Sequence, residues 1–257
     1  AASLRTSIRQ NLSTIDYVKP WKQAIQQRVP STAEWLLQEF LFHDWQDDQN
    51  TAILWCPGTM GMGKTVLISN VVAQLHASRN TNDIISYYIC RADNTASLSA
   101  RNIIGSLARQ ILDSQIKHAE DESLQRLYED SNDLNTAEVV DFVLSRLHDD
   151  NTYYLAIDGL DECEPVEIRK VAQSVAKLCN MRVKNFKVLY TGRPELENQL
   201  FGAMKPKYKI PVTETKVDLE MDRYIAAAIG NCLEDKQLIL GDPTLIVKIF
   251  ETLKKGS

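Results

Sequence analysis

An eight-residue segment from Gly58 to Thr65 constrains this chain more than any other. It reads G-T-M-G-M-G-K-T and matches the pattern G-x-x-x-x-G-K-[ST] in full. Glycines let the backbone curl so that successive N–H groups point inward, and lysine adds a mobile cation. The threonine hydroxyl of this pattern binds Mg²⁺. The segment therefore predicts a phosphate-binding loop whose nucleotide contacts are Gly58, Thr59, Met60, Gly61, Met62, Gly63, Lys64, Thr65 and Val66.

The two segments that flank this loop support the same interpretation. Before it, the apolar run from Ala52 to Cys56 is too short for a helix and stops at Pro57, which indicates a buried strand. After it, apolar residues from Val66 to Leu75 recur at helical spacing. The alternative, a glycine-rich turn with a surface lysine, does not account for a strand and a helix in these places.

Strand-like and helical segments alternate along most of the chain. We predict strands at 52–56, 84–90, 153–157, 186–190 and 208–212. We predict helices at 3–12, 16–28, 31–41, 66–75, 101–111, 135–147 and 168–178, with Ser31 capping the third and an Asn135–Glu138 capping box opening the sixth. This alternation indicates an α/β fold with a mainly parallel sheet.

The order of these segments predicts three parts of the chain. From Asp218 onward only helical signals are present. We therefore expect an N-terminal helical segment over 1–50, a nucleotide-binding domain over 51–215, and a small helical domain over 216–257.

Composition excludes several classes of function. The 257 residues carry a net charge of −5, which argues against a dedicated nucleic-acid binder. The five cysteines are odd in number and form no C-x-x-C pair, so we expect thiols of a reducing, cytoplasmic environment. No apolar run approaches the roughly 20 residues of a membrane helix. The four histidines stand alone, without the spacing of metal ligands.

Acidic residues follow the third predicted strand. The apolar segment from Tyr154 to Ile157 ends at Asp158, where a carboxylate next to a phosphate loop faces the metal. Asp158 and Thr65 are therefore the expected Mg²⁺ contacts. Asp161 and Glu162 come just beyond and are candidates to polarise the attacking water. Their alternative role is a solvated helix cap before the next proline.

Arg193 follows the fourth predicted strand in the segment T-G-R-P. An arginine at the carboxyl end of a strand beside the phosphate loop is suited to contact the γ-phosphate. The alternative is a surface arginine before a proline turn.

Together these segments resemble the NACHT family of signal-transduction NTPases, and within it the fungal proteins related to NOD-like receptors. The most specific part is D-G-L-D-E-C at 158–163, because the family places a small residue after the metal aspartate and acids two and three positions further on. The loop segment W-C-P-G to G-K-T-V-L and T-G-R-P at 191–194 also match. The resemblance covers most of residues 10–215.

The resemblance implies a P-loop NTPase fold with a five-stranded parallel sheet in the order 2-3-4-1-5, flanked by helices, and a small C-terminal helical subdomain. It implies a switch that binds ATP or ADP with Mg²⁺, with GTP or GDP as the alternative, and that self-associates in its activated full-length form. It also implies Asp161 or Glu162 as the catalytic acid and Arg193 as the sensor. The base contacts that it implies are Val29, Pro30, Thr32 and Tyr224.

Two features depart from the family pattern. Gly192 stands where the family more often has serine, which we expect to loosen the turn before Arg193. The chain also ends inside the expected helical domain, so we expect a winged-helix domain, the effector domain and the sensor repeats to be absent from it.

The leading functional hypothesis is a regulatory module that binds a nucleotide and hydrolyses it slowly. A scaffold that binds nucleotide without hydrolysis is the first alternative, and a P-loop small-molecule kinase is the second. The chain lacks an obvious arginine-rich lid, which disfavours the kinase, and it has no N-K-x-D tetrapeptide, which disfavours a Ras-like GTPase.

Overall fold

The computed structural model describes residues 2–180, 185–200 and 202–255. The helices within these ranges are α1 Ala2–Leu12, α2 Val18–Gln27, α3 Phe40–Asp47, α4 Lys64–Ser78, α5 Ala100–His118, α6 Asp121–Asp130, α7 Thr136–Leu144, α8 Pro165–Cys179, α9 Glu197–Leu200, α10 Glu214–Glu234 and α11 Leu245–Lys255. The strands are β1 Ala52–Pro57, β2 Asp83–Ile89, β3 Thr152–Asp158, β4 Asn185–Gly192 and β5 Tyr208–Lys209.

Within the described residues, the strands form one five-stranded sheet in the order β2-β3-β4-β1-β5. Every pairing is parallel. Both the fold class and the strand order that the resemblance implied are confirmed. Pro57 at the end of β1 pairs with Gly192, and Ile157 near the end of β3 pairs with Tyr190. The carboxyl ends of β1, β3 and β4 therefore meet at one edge, where α/β folds bind their ligands.

Helices cover both faces of the sheet, and the strands alternate between two apolar layers. Along β1, Ile53 and Trp55 pack in the layer that includes α1, α5, α7 and α8. Leu54 and Cys56 pack in the opposite layer, with α3 and α4. All six residues of β1 are buried, because a central strand of a doubly covered sheet has no solvent face.

The predicted helix from Ser31 to Leu41 is wrong. A short 3-10 turn covers Trp35–Gln38, the backbone extends at Glu39, and α3 begins only at Phe40. Phe40 is 75% exposed, whereas Phe42 and Trp45 are buried. The apolar spacing suggested one continuous face, but packing against the sheet uses the later aromatic residues of a separate helix.

Other helix predictions agree more closely with the structure. Asn135 and Glu138 form the predicted capping box at the start of α7. This helix ends at Leu144, three residues before the predicted end at Leu147. The sequence patterns did not predict α6.

The C-terminal part is helical, with α10 beginning at Glu214 and α11 packing against it. Residues 256 and 257, at the end of the predicted helical domain, lie outside the described residues. The division of the chain into three parts stays a prediction. Among the helices that the structure describes, none combines the length and the apolar character needed to cross a bilayer.

Candidate functional site

The segment between β1 and α4 curls into a cradle at the carboxyl edge of the sheet. Gly61 and Gly63 have φ angles of 85° and 68°, in the left-handed region that residues with a Cβ rarely adopt. Directly after Gly63, α4 begins at Lys64. The first N–H groups of a helix have no acceptor within the helix, and the helix dipole makes this end positive. The cradle is therefore suited to an anion such as a phosphate group.

The side chain of Lys64 folds back over this cradle. Its Nζ donates hydrogen bonds to the carbonyl oxygens of Gly58, at 2.8 Å, and Thr59, at 2.6 Å. Burial lowers the pKa of Lys64, while the carboxylates of Asp161 and Asp158 act in the opposite direction. The lysine thus brings a half-buried amine, with two acidic side chains nearby, to the mouth of the loop.

Asp158 at the end of β3 accepts hydrogen bonds from hydroxyl groups of two other elements. Thr65 Oγ1 on α4 donates to Oδ2 at 2.6 Å, and Thr191 Oγ1 on β4 donates to Oδ1. Burial raises the pKa of Asp158, and the two hydroxyl groups lower it. A hydroxyl and a carboxylate oxygen are hard ligands of the kind that Mg²⁺ prefers. Thr65 and Asp158, side by side at the phosphate cradle, therefore fit a Mg²⁺ ion.

The other predicted catalytic residues form a charged cluster beside this pair. Arg193 Nε lies 3.1 Å from Asp161 Oδ2, and Arg193 Nη2 lies 3.2 Å from Glu162 Oε1. Neither acid caps α8, whose N-cap residue is Glu164. Arg193 is thus ion-paired across the site, and the side chain of Asp161 is only 12% exposed. The roles of catalytic acid and sensor stay predictions, but Arg193 contacts both acidic side chains.

A cavity of about 330 Å³ joins these groups. Its walls come from the loop, from the turn after β3 and from the turn after β4. The lining residues are Met60, Gly61, Met62, Gly63, Lys64, Thr65, Val66, Cys90, Asp158, Gly159, Asp161, Glu162 and Arg193. One space therefore contains the phosphate cradle, the expected metal contacts and the expected catalytic residues.

A second cavity of about 260 Å³ lies against the other side of the loop and shares Gly61, Met62, Gly63 and Val66 with the first. Its lining includes three of the four predicted base contacts, Val29, Thr32 and Tyr224. The remaining wall is largely apolar and includes Trp35, Leu67, Val217 and Met221. A largely apolar cavity next to a phosphate site can accommodate the flat ring of a nucleotide base.

Three predicted contacts, Pro30, Gly58 and Thr59, are not brought into these cavities. Pro30 is exposed and absent from the lining of the second cavity. Thr59 lies with Gly58 in a neighbouring open cleft beside Val212. The other predicted loop residues, from Met60 to Val66, line one or both cavities.

The structure adds residues that the sequence patterns missed. Cys90 directly follows β2 and lines the first cavity. It lies there because β2 pairs with β3 in the sheet. On α10, Val217, Glu220, Met221 and Tyr224 all line the second cavity. These four positions follow the spacing i, i+3, i+4, i+7 of one helical face. A helical projection that starts from Tyr224 would therefore have identified the other three.

Comparison with protein families gives one match that covers most of this site. The family model described as Nephrocystin 3, N-terminal matches residues 31–193, from the segment before the loop to Arg193. The chain belongs to this family. The match includes the phosphate loop, the acidic segment after β3 and the arginine after β4.

Among curated proteins, the chain is similar to the vegetative incompatibility protein HET-E-1 of Podospora anserina. The two are 24% identical over 201 residues, which is 74% of this chain and 14% of that protein. The chain therefore spans only a small part of this relative. With the family match, this similarity supports a NACHT/STAND-type NTPase, as the sequence motifs predicted.

Solved structures with a related shape include Cdc6p from Pyrobaculum aerophilum, at 16% identity and a TM-score of 0.45, covering 84% of this chain and 53% of that one. The Orc1 protein of Aeropyrum pernix in complex with DNA matches at 17% identity and a TM-score of 0.43, covering 86% and 59%. Similarity at this level carries no argument about function, so the expectation that this chain does not bind nucleic acid stays a prediction.

The family match and the HET-E-1 similarity support a nucleotide-binding NTPase module as the coarse description of this chain. The nucleotide, the metal and the reaction are finer questions that depend on the geometry of the two cavities.

Proposed function

We propose that this chain is the switch module of a signalling NTPase, which binds ATP or ADP with Mg²⁺ and hydrolyses the triphosphate slowly. GTP and GDP are the alternative pair. One observation carries the proposal. A single cavity of about 330 Å³ is lined by the phosphate cradle with Lys64, the Thr65–Asp158 pair, and the Asp161–Glu162–Arg193 cluster.

The binding step uses the cradle and its lysine. Loop and helix N–H groups donate to the β-phosphate, and Lys64 exchanges its carbonyl partners for β- and γ-phosphate oxygens. Thr65 and Asp158 hold Mg²⁺, which neutralises charge on the phosphate oxygens when it is bound. The base enters the second, apolar cavity, which shares the loop residues Gly61 to Gly63 with the first.

The hydrolytic step uses the charged cluster. Arg193 now pairs with Asp161 and Glu162, which holds the two carboxylates in ion pairs. A γ-phosphate in the same cavity is a more highly charged partner for a guanidinium group. When Arg193 exchanges these ion pairs for one with the γ-phosphate, the carboxylate of Asp161 or Glu162 becomes free to accept a proton from the attacking water.

Single-turnover hydrolysis tests this proposal. We expect Glu162→Gln and Asp161→Asn to keep nucleotide binding, and the variant that removes the catalytic acid to slow γ-phosphate release by about 100-fold. Glu164→Gln, the neighbouring N-cap acid, serves as the control and should match the original protein. If the original protein and both acid variants release phosphate at the same rate, the hydrolase proposal fails.

The same ion pairs favour a second candidate, the non-hydrolysing scaffold. If nucleotide leaves Arg193 on the two acids, neither carboxylate is free to activate water. The scaffold predicts tight binding with no phosphate release in the original protein over many hours. The switch predicts slow release that depends on an acid.

In the full-length protein we propose that the nucleotide controls self-association, in a cytoplasmic setting and with effector and sensor domains outside this chain. Signalling in innate immunity or programmed cell death is the biological role that this proposal implies. The support is the family membership and the similarity to a vegetative incompatibility protein.

A further inference from the structure

Residues 28–34, which we call the strap, form one wall of the second cavity in an unusual backbone conformation. Ser31 and Ala33 have φ angles of 59° and 57°. Both residues carry a Cβ, which makes the left-handed region unfavourable for them. Such conformations persist only where surrounding contacts hold them. The contacts of the strap therefore identify what maintains this wall.

Side chains of α10 supply several of these contacts. Glu220 accepts hydrogen bonds from two consecutive backbone N–H groups of the strap, with Oε2 2.6 Å from Ala33 N and Oε1 3.1 Å from Glu34 N. Arg223 Nη1 donates to the carbonyl oxygen of Ser31 at 2.8 Å. Two residues of one helix thus hold both left-handed positions.

The other side of the strap is attached to the helix that follows the phosphate loop. Asn70 Nδ2 on α4 donates to the carbonyl oxygen of Ala33 at 2.7 Å, and Asn70 is buried. Ala33 therefore connects α4 through its carbonyl group and α10 through its N–H group. The strap is a link between the nucleotide cradle and the C-terminal helices.

Glu220 lines only one of the two cavities. It lines the second cavity, beside Val29 and Thr32, and it is absent from the lining of the cavity that contains Lys64 and Asp158. A change at Glu220 should therefore alter the wall of the base cavity and leave the phosphate cradle intact.

We propose that Glu220 is a positioning residue for nucleotide binding, which holds the strap in the conformation that completes the base cavity. Docking of α10 and binding of a base-bearing nucleotide then favour each other, because each stabilises the same strap conformation. This inference rests on the proposed nucleotide function, and it adds the coupling between the base cavity and the C-terminal helices.

The test compares a ligand with a base and a ligand without one. The variant is Glu220→Gln, which keeps the size of the side chain but replaces one acceptor oxygen by an NH₂ group. The control is Asp218→Asn on the same helix, because Asp218 is exposed and its side chain has no hydrogen bond or ion pair within the described ranges. Calorimetry measures the affinity for pyrophosphate and for ADP or GDP, whichever binds the original protein more tightly, all with Mg²⁺.

We expect Glu220→Gln to weaken the diphosphate nucleotide about tenfold and to leave pyrophosphate affinity unchanged. Unchanged nucleotide affinity in this variant would overturn the inference, and so would an equal loss for both ligands, which indicates a general defect. If the original protein binds pyrophosphate but no nucleotide, or binds neither, the proposed function itself fails.

Hydrogen exchange in the original protein gives a second measurement that needs no variant. Bound nucleotide should slow exchange at the amides of Ala33 and Glu34 and along α10, whereas pyrophosphate should not. Equal protection by the two ligands, or none by either, contradicts the coupling.

Discussion

At the residue scale, Asp158 shows how single side chains organise this site. Its two carboxylate oxygens accept hydrogen bonds from Thr65 and Thr191, so one residue connects β3, α4 and β4. A buried carboxylate is costly unless it has such partners. The hydroxyl of Thr65 is also the group that the loop motif assigns to the metal. The proposed Mg²⁺ site and the contacts among these three elements therefore share the carboxylate of Asp158.

Lys64→Ala should abolish nucleotide binding while the fold persists. The substitution removes the cation over the cradle, together with the hydrogen bonds that its Nζ donates to the carbonyl oxygens of Gly58 and Thr59. We expect at least a 100-fold weaker affinity for Mg²⁺–nucleotide by calorimetry, with unchanged far-ultraviolet circular dichroism. Lys117→Ala, at the end of α5 and outside both cavities, is the matched control. Unaltered affinity in Lys64→Ala would remove the basis of the proposed function.

Gly192→Ser should destabilise this chain. A Cβ at Gly192 would lie 2.7 Å from Leu196 Cδ2, 3.0 Å from Asp161 Oδ1 and 3.2 Å from Trp55 Cη2. The turn before Arg193 is thus tightly packed, contrary to the loosening that the sequence suggested. We expect a loss of about 1–2 kcal/mol in the free energy of unfolding, measured with urea.

Gly241→Ser is the control for this overpacking, because a Cβ at Gly241 meets no atom within 4 Å. Because Asp161 must also shift, single-turnover hydrolysis should fall in Gly192→Ser and not in the control. Equal stability of the two variants would show that the packing around Gly192 adapts without cost.

Residues within one segment were predictable, and residues that depend on tertiary structure were not. The loop from Met60 to Val66 lines the cavities because its motif fixes local backbone geometry. Pro30 was nominated by resemblance alone, and the strap turns it to solvent. Cys90 reaches the site only because β2 pairs with β3, which no local pattern contains.

At the element scale, polar contacts attach the loop before β1 to the strands beside it. Asp48 accepts hydrogen bonds from Lys207 Nζ at 2.6 Å and from Tyr208 Oη at 3.0 Å. The backbone carbonyl groups of Asp48 and Asn50 accept hydrogen bonds from Lys187 Nζ on β4. These contacts fix the start of β1 against β4 and β5. Lys207 and Lys209 at this edge of the sheet form ion pairs with Asp48 and Glu197.

The Asp48 contacts predict a pH dependence of stability. Burial raises the pKa of Asp48, but hydrogen bonds from Lys207, the Asn50 backbone and Tyr208 outweigh it and lower the pKa to about 2, from an ordinary value of 3.8. A carboxylate with a lowered pKa stabilises the fold above its ordinary pKa, and the contribution disappears as the pH falls towards the folded-state value. Because Lys207 is exposed and solvent screens its charge, Asp48→Asn should therefore cost about 1 kcal/mol at pH 7.

Urea denaturation of Asp48→Asn and of the original protein between pH 2 and pH 7 provides the measurement. The difference in free energy of unfolding should stay constant above about pH 4 and shrink as the pH falls to about 2. Asp150→Asn, on an exposed turn, should show no comparable difference at any pH. A difference that is the same at both ends of the range would exclude the ionised Asp48 as its cause.

For the whole molecule, periodicity and resemblance predicted different parts of the fold. Alternating apolar runs and amphipathic helices predicted the α/β class, because both periods are local properties of the chain. The order β2-β3-β4-β1-β5 came from the resemblance, because pairing between strands distant in sequence leaves no local pattern. The base cavity joins the strap to α10, nearly 190 positions later, so only the folded structure could assign Glu220 to it.

Nucleotide binding that joins the cradle, the strap and α10 should stabilise the whole chain. At a ligand concentration 100 times the dissociation constant, binding adds about 2.7 kcal/mol, which corresponds to roughly 5–10 °C in melting temperature for a chain of this size. Thermal denaturation with Mg²⁺ and ATP, ADP, GTP or GDP should give this shift for one base and a smaller one for the other. Lys64→Ala should show no shift, and pyrophosphate should stabilise less than the matching nucleotide because it leaves the base cavity unfilled. A shift equal for all four nucleotides and for pyrophosphate would locate all of the binding energy at the phosphate cradle and exclude a contribution from α10.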